Sequence, residues 1–227
     1  VSIFHRAQTG DIAAKDYLYR SYIGAMLAHA RRRNFAKPDA QAHSHDFLAG
    51  IIQQSMPFKW DPAKGRFRSY LLKAFNHFLS MQLRVPQKRG GGVEHLALDG
   101  QPSGVRDALA HTISSEDELR FDYNWAQGLY ARAMKRLKDS QAKNQRRFEL
   151  LKTCLATDDY SRSSLASGLG ISVGQVYVQV SRLRRRFRDC LRAEIAESFL
   201  HTDFAETDID DEMHYLLRVL RAGAAPQ

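Results

Sequence analysis

The stretch KPDAQAHSHDFLAG, residues 37–50, holds two histidines and two aspartates within eight positions, a density that invites metal or acid–base chemistry. On a helix, however, His43 and His45 point roughly 200° apart and cannot share one ligand. Asp39 and His43 stand four apart and could share one, but a pair falls short of a zinc set, which takes four ligands or three plus water. No metal is expected here. Cys154 and Cys190 lack CxxC spacing and have no nearby histidine cluster, so neither a structural metal nor a disulfide is expected. Paired carboxylates, a P-loop and a Ser/His/Asp grouping are all missing from the sequence, so the expected class is not an enzyme and needs no cofactor.

A different chemistry is written into SRSSLASGLGISVGQVYVQVSRLRRRFRDCLR, residues 161–192. A short amphipathic helix carrying Leu165, Ala166 and Leu169 meets the tight turn LGIS, and a longer helix follows. Gly170 suits a left-handed turn position, Ile171 can fill the angle between the helices, and Ser172 can cap the second. This is a helix-turn-helix pattern, whose second helix lies in a DNA major groove. Gln175, Tyr177, Val178 and Ser181 are placed to reach base edges. Arg182, Arg184, Arg185, Arg186 and Arg188 follow, and some of them should neutralise phosphates.

The elements that must carry these residues are helical throughout. In GDIAAKDYLYRSYIGAMLAHARRR, Asp11 is a predicted N-cap, and Ile12, Leu18, Tyr22, Met26 and Leu27 fall on or near one face. The opening stretch continues through Phe47, Leu48, Ile51 and Ile52, with Pro57 expected to end it. Leu71, Leu72, Phe75, Phe78 and Leu79 define a third helix within FRSYLLKAFNHFLSMQLR. Residues 85–118 lose periodicity and contain three consecutive glycines, so a linker is expected, with Leu96, Leu98 and Leu109 hinting that it is partly bound. Helical spacing resumes in ELRFDYNWAQGLYARAMKRLK and NQRRFELLKTCLA. A last helix is expected from about 208 to 221, with Met213, Leu216, Leu217 and Leu220 packing. The predicted fold class is all-α: two helical domains, an irregular linker and a C-terminal helix.

Charge is arranged in blocks. Residues 1–90 carry 15 Lys/Arg against 5 Asp/Glu, residues 91–130 carry 2 against 7, residues 131–192 carry 15 against 5, and residues 193–227 carry 2 against 8. Two basic blocks separated by an acidic bridge suggest two modules that both face a polyanion, here nucleic acid. No apolar run is long enough for a membrane span and no signal pattern opens the chain, so a cytoplasmic protein with no membrane partner is expected.

Several motifs, in order, carry a family resemblance. WDPAKGRFRSYLLKAFNHFL resembles the region-two signature of extracytoplasmic-function, or group four, sigma factors of bacterial RNA polymerase. ISVGQVYVQVSRLRRRFRDCL is similar to their region-four helix-turn-helix. KRGGG followed by LD, then FDYNWAQGLYARAMKRL and DEMHYLLRVL, resemble a Ser/Thr-kinase-associated subgroup. The resemblance implies region two over 1–88, a linker over 89–115, region four over 116–196 and an acidic extension over 197–227. It implies a transcription initiation factor that binds core RNA polymerase, on the clamp of the largest subunit and the flap of the second, and promoter DNA. By matching position, Gln175, Tyr177, Val178, Ser181, Arg182, Arg184 and Arg185 would read the minus-thirty-five element. Phe67, Arg68, Tyr70, His77 and Arg84 would lie near the melted minus-ten strand, where aromatic and Arg side chains suit capture of an unstacked base. The usual pattern has Asn at His77, Asp at Met81, Lys at Tyr177 and Arg at Gln179, so promoter sequence does not carry over. A DNA-binding regulator acting without polymerase is the alternative.

Under this resemblance residues 37–50 become a polymerase-docking helix, with Asp39, Gln41, Ala42, His45 and Asp46 on its working face. The family pattern has acidic residues where Gln41 and Ala42 stand, so affinity for a basic clamp is expected to be weak. Ser44 is then a candidate phosphorylation site for a Ser/Thr protein kinase, adding about −1.5 to −2 charge. The helical wheel also sets Ser44 within the Phe47–Leu48–Ile51 stripe, as a packing residue. The acidic tail could pin the domains together or mask the recognition helix.

Overall fold

A computed structural model describes residues 3–56, 60, 66–84, 113–198 and 206–223, and these residues are helical with no strand among them. They fall into two compact units, one built from residues 1–128, 198–205 and 214–227, the other from 129–197 and 206–213. The expected linker leucines and the KRGGG segment lie outside the described residues, as does most of WDPAKGRF.

The first unit opens with α1 (Ile3–Gln8) and α2 (Ile12–Arg32). Asp11 caps α2 as predicted: its carboxylate accepts the Ala14 N–H at 3.0 Å. Those backbone donors and the Arg6 guanidinium hold the Asp11 carboxyl below its ordinary range. Tyr22, Leu18 and Met26 are buried as expected, whereas Ile12 is 82% exposed. It occupies the first position of the helix, ahead of the turn that the core covers. α3 (Lys37–Ile52) buries Phe47, Leu48 and Ile51. It stops at Ile52, well before Pro57, because the chain turns through Gln54 at φ +56° and both Ser55 and Met56 donate to the Gly50 carbonyl. α4 (Phe67–Arg84) supplies Leu71, Leu72, Phe75 and Leu79, and the Phe47 ring lies 5.1 Å from Phe75 and 5.4 Å from Phe78.

α5 (Ser115–Ser140) starts at a reciprocal cap in which Ser114 and Asp117 each accept the other's N–H, with Glu116 and Glu118 beside it at the positive helix end. Its first half belongs to the first unit, so the division between units falls after Gly128 rather than at residue 115. The cause is local: Phe121 and Trp125 are buried, and Trp125 stacks on Tyr22 at 6.4 Å.

The second unit packs Ala133 and Leu137 of α5 against Phe148 and Leu151 of α6 (Gln145–Leu151), Ala166 of α7 (Arg162–Leu169), and Val176, Val180, Leu183 and Phe187 of α8 (Val173–Ser198). A 3-10 turn, Lys152–Leu155, follows α6 and brings Cys154 into this core. α9 (Glu206–Gly223) extends slightly beyond the predicted span and buries Ile209, Leu216 and Val219. Leu217, expected in the stripe, is 41% exposed, because the covered face is set by the spacing of 209, 216 and 219.

Candidate nucleic-acid interface

The helix-turn-helix forms from local chemistry. Ser161 caps α7 by accepting the Ser164 N–H, and Gly170 ends it at φ +63°, the left-handed conformation that a glycine adopts without a Cβ penalty. Ile171 donates its N–H to the Ala166 carbonyl and packs partly buried on the unit's core. α8 then opens with a capping box: Gln175 N–H meets Ser172 Oγ at 3.3 Å, and Ser172 N–H meets Gln175 Oε1 at 2.9 Å. The predicted turn is therefore present residue by residue, and it also gives Gln175 a structural duty beside the expected base contact.

On α8 the buried row is Val176, Val180, Leu183 and Phe187. At 100° per residue the opposite row is Gly174, Val178, Ser181 and Arg185. Tyr177, Val178, Ser181, Arg182 and Arg185 are exposed, as are Arg186 and Arg188. Among the described residues none of these four arginines is in an ion pair. Arg184 is the correction. Next to buried Leu183, it turns inward, donating to the Cys154 carbonyl at 2.6 Å and 3.0 Å, to the Thr157 carbonyl at 3.1 Å, and pairing with Asp158 at 2.7 Å. Its guanidinium fastens the segment after the 3-10 turn and is not presented to a groove. Arg146 and Arg162 are also exposed; they lie within the quoted stretches but outside the expected site residues, and only the charge count of the second basic block points to them.

In the first unit the expected minus-ten residues are not brought together on one open face. Phe67 is buried, its ring 5.5 Å from Tyr22 and 5.3 Å from Trp60. Arg68 is buried too, its Nε 3.0 Å from Asp122 and its guanidinium 4.1 Å over the Trp125 ring. Both are thus core residues in this fold, not free to meet a nucleic-acid strand. Tyr70 and His77 are half-buried, and Arg84 ends α4 with its side chain outside the described residues. Tyr215 of α9 donates its hydroxyl to Asp122 and is covered by the Arg66 guanidinium at 4.0 Å. Burial, with the Asp122 carboxylate beside it, pushes the Tyr215 hydroxyl up to about 12.

The outer face of α3 carries Asp39, Gln41, Ala42, His45 and Asp46, all exposed. His45 lies against Tyr19 of α2, the phenol oxygen 2.7 Å from Nδ1. His43 is half-buried between the edges of Phe35 and Phe78. Among the described residues no three His, Cys, Asp or Glu side chains converge to hold a metal. Ser44 is fully enclosed and donates its hydroxyl to the Ala40 carbonyl at 2.7 Å. An accessible phospho-acceptor at Ser44 does not fit this fold, because a phosphate there needs the α3 packing opened. The acidic residues of α9 in the second unit pair with Arg192, through Asp210 and Glu206, and not with the exposed arginines of α8. No described helix is long and apolar enough to cross a membrane. Compared with protein-family models, curated proteins and solved structures, the chain matches none.

Proposed function

We propose that this chain is an alternative sigma factor of the extracytoplasmic-function type, which binds core RNA polymerase and directs it to specific promoters. The observation that carries the reading is α8: a capped helix-turn-helix whose outward face holds Tyr177, Val178 and Ser181 early and Arg182, Arg185, Arg186 and Arg188 later. That order suits base edges followed by phosphates. The outer face of α3, with Asp39 and Asp46 exposed, supports docking on a basic polymerase surface, and its low charge fits a weak contact. The reaction is not catalysed by this chain. Its work is to hold polymerase and promoter in register.

In this reading the second unit positions the complex on the minus-thirty-five element, and the first unit attaches to polymerase. Mixing the full chain with bacterial core polymerase tests it: co-elution on size exclusion and new run-off transcripts from genomic promoter fragments are expected. A DNA-binding regulator acting without polymerase would bind duplex DNA but neither co-elute nor redirect transcription. That outcome would sink the proposal.

A further inference from the structure

The first two turns of α8 present a face that the core of the unit does not use. Gly174 is the second residue of the helix, inside the Ser172–Gln175 capping box. A Cβ built there would meet nothing within 4 Å, and its φ needs no glycine. Gly174 heads the outermost row of the helix, so no side chain there would hold an approaching surface away. Around it, Tyr177 is 65% exposed, Val173 50% and Val178 42%, large apolar side chains left in water on an otherwise basic helix.

Polar readers are scarce in the same turns. The Gln175 oxygen accepts the Ser172 N–H, which holds that amide against the start of the helix. A bidentate contact to guanine needs Arg or Lys, and none occurs on α8 before Arg182. What remains is methyl groups, a phenol, the Ser181 hydroxyl and the half-buried amide of Gln179. The exposed arginines further along complement a phosphate backbone, which makes duplex DNA the occupant of this face.

Resting on the reading of α8 as a DNA-contacting helix, we propose that it selects its site by thymine methyl groups packed against Val178 and its neighbours, with Gly174 allowing the close approach. The favoured element is then rich in T·A pairs, not G·C pairs.

The test uses the full chain, alone and with core RNA polymerase, on DNA duplexes with a randomised centre. Enriched duplexes are then rebuilt with deoxyuridine in place of thymidine, which removes only the methyl. T·A-rich enrichment is expected, with about fourfold weaker binding per contacted methyl removed. Val178→Ala should erase that sensitivity. Gly174→Ala should keep or raise the melting temperature and yet weaken binding. Enrichment of G·C-rich sites, or equal affinity for thymine and uracil duplexes, overturns the methyl readout while the DNA-binding reading stands. Failure of both arms to enrich any sequence removes the DNA-binding reading itself, and this proposal with it. If self-association is then abolished by Tyr177→Ser, the apolar face belongs to a second copy of the chain.

Discussion

Ser44 shows how one atom changes the meaning of a surface. Its hydroxyl is enclosed beneath α3 and satisfied by the Ala40 carbonyl, so Ser44→Ala should cost only about 1 kcal/mol in a denaturant melt. Ser44→Glu places a carboxylate in the same enclosed space and should cost about 3–5 kcal/mol. If Ser44→Glu instead leaves the melt unchanged and binds polymerase better than Ser44→Ala, the packing role is wrong. Arg68 and Asp122 obey related physics. Their ion pair is buried at 3.0 Å, so Arg68→Met, which strands the acid, should destabilise by about 3–5 kcal/mol. Adding Asp122→Leu should recover much of that loss, because the unpaired charge then disappears with its partner. A thermal or urea series over the four proteins reads the coupling directly.

Helix caps were legible in the sequence because their signals are local, although Pro57, a local signal too, misplaced the end of α3. Asp11, Ser161, Gly170 and Ser172 each act within five residues or fewer, and each does what its type predicts. The pairings that the sequence concealed are distant: Arg68 with Asp122 across 54 positions, Tyr215 with Asp122 across 93, Arg184 with Cys154 across 30. No periodicity encodes them, since only the finished packing brings the partners together. That is why Phe67 and Arg68 read as strand-capturing residues until their cover was known. The same cover makes α9 testable. Tyr215 ionises near 10 in the unfolded chain and only near 12 in place, so between those values the folded protein holds a proton that the unfolded chain has lost. Stability should therefore fall as pH rises through that window, and Tyr215→Phe should fall less between about pH 10 and about pH 12. At α3, replacing Gln41 by Glu and Ala42 by Asp adds exposed negative charge without disturbing the buried stripe. Under the docking proposal the double variant should bind core polymerase several-fold more tightly at low salt, with the gain fading as salt rises.

For the whole molecule the alternation of basic and acidic blocks would make the proposed DNA binding an ion-exchange reaction. Each phosphate neutralised releases counterions, so the logarithm of affinity should fall with the logarithm of salt at about −0.9 per contact. Among the described residues Arg182, Arg185, Arg186 and Arg188 are the exposed, unpaired arginines of α8, whereas Arg184 is committed to two backbone carbonyls and Asp158. These two kinds of arginine, neighbours in sequence, must respond differently. Arg185→Ala should leave the melting temperature nearly unchanged and reduce the salt slope by about one. Arg184→Ala should leave the slope of the folded fraction unchanged while lowering stability by about 1–3 kcal/mol, because the Cys154 and Thr157 carbonyls lose charged donors. Affinity measured over a salt series for both variants, beside their thermal melts, separates the roles. Equal slopes for Arg185→Ala and the parent chain would mean that the outward row of α8 does not lie against phosphate, and that the basic block answers to some other partner.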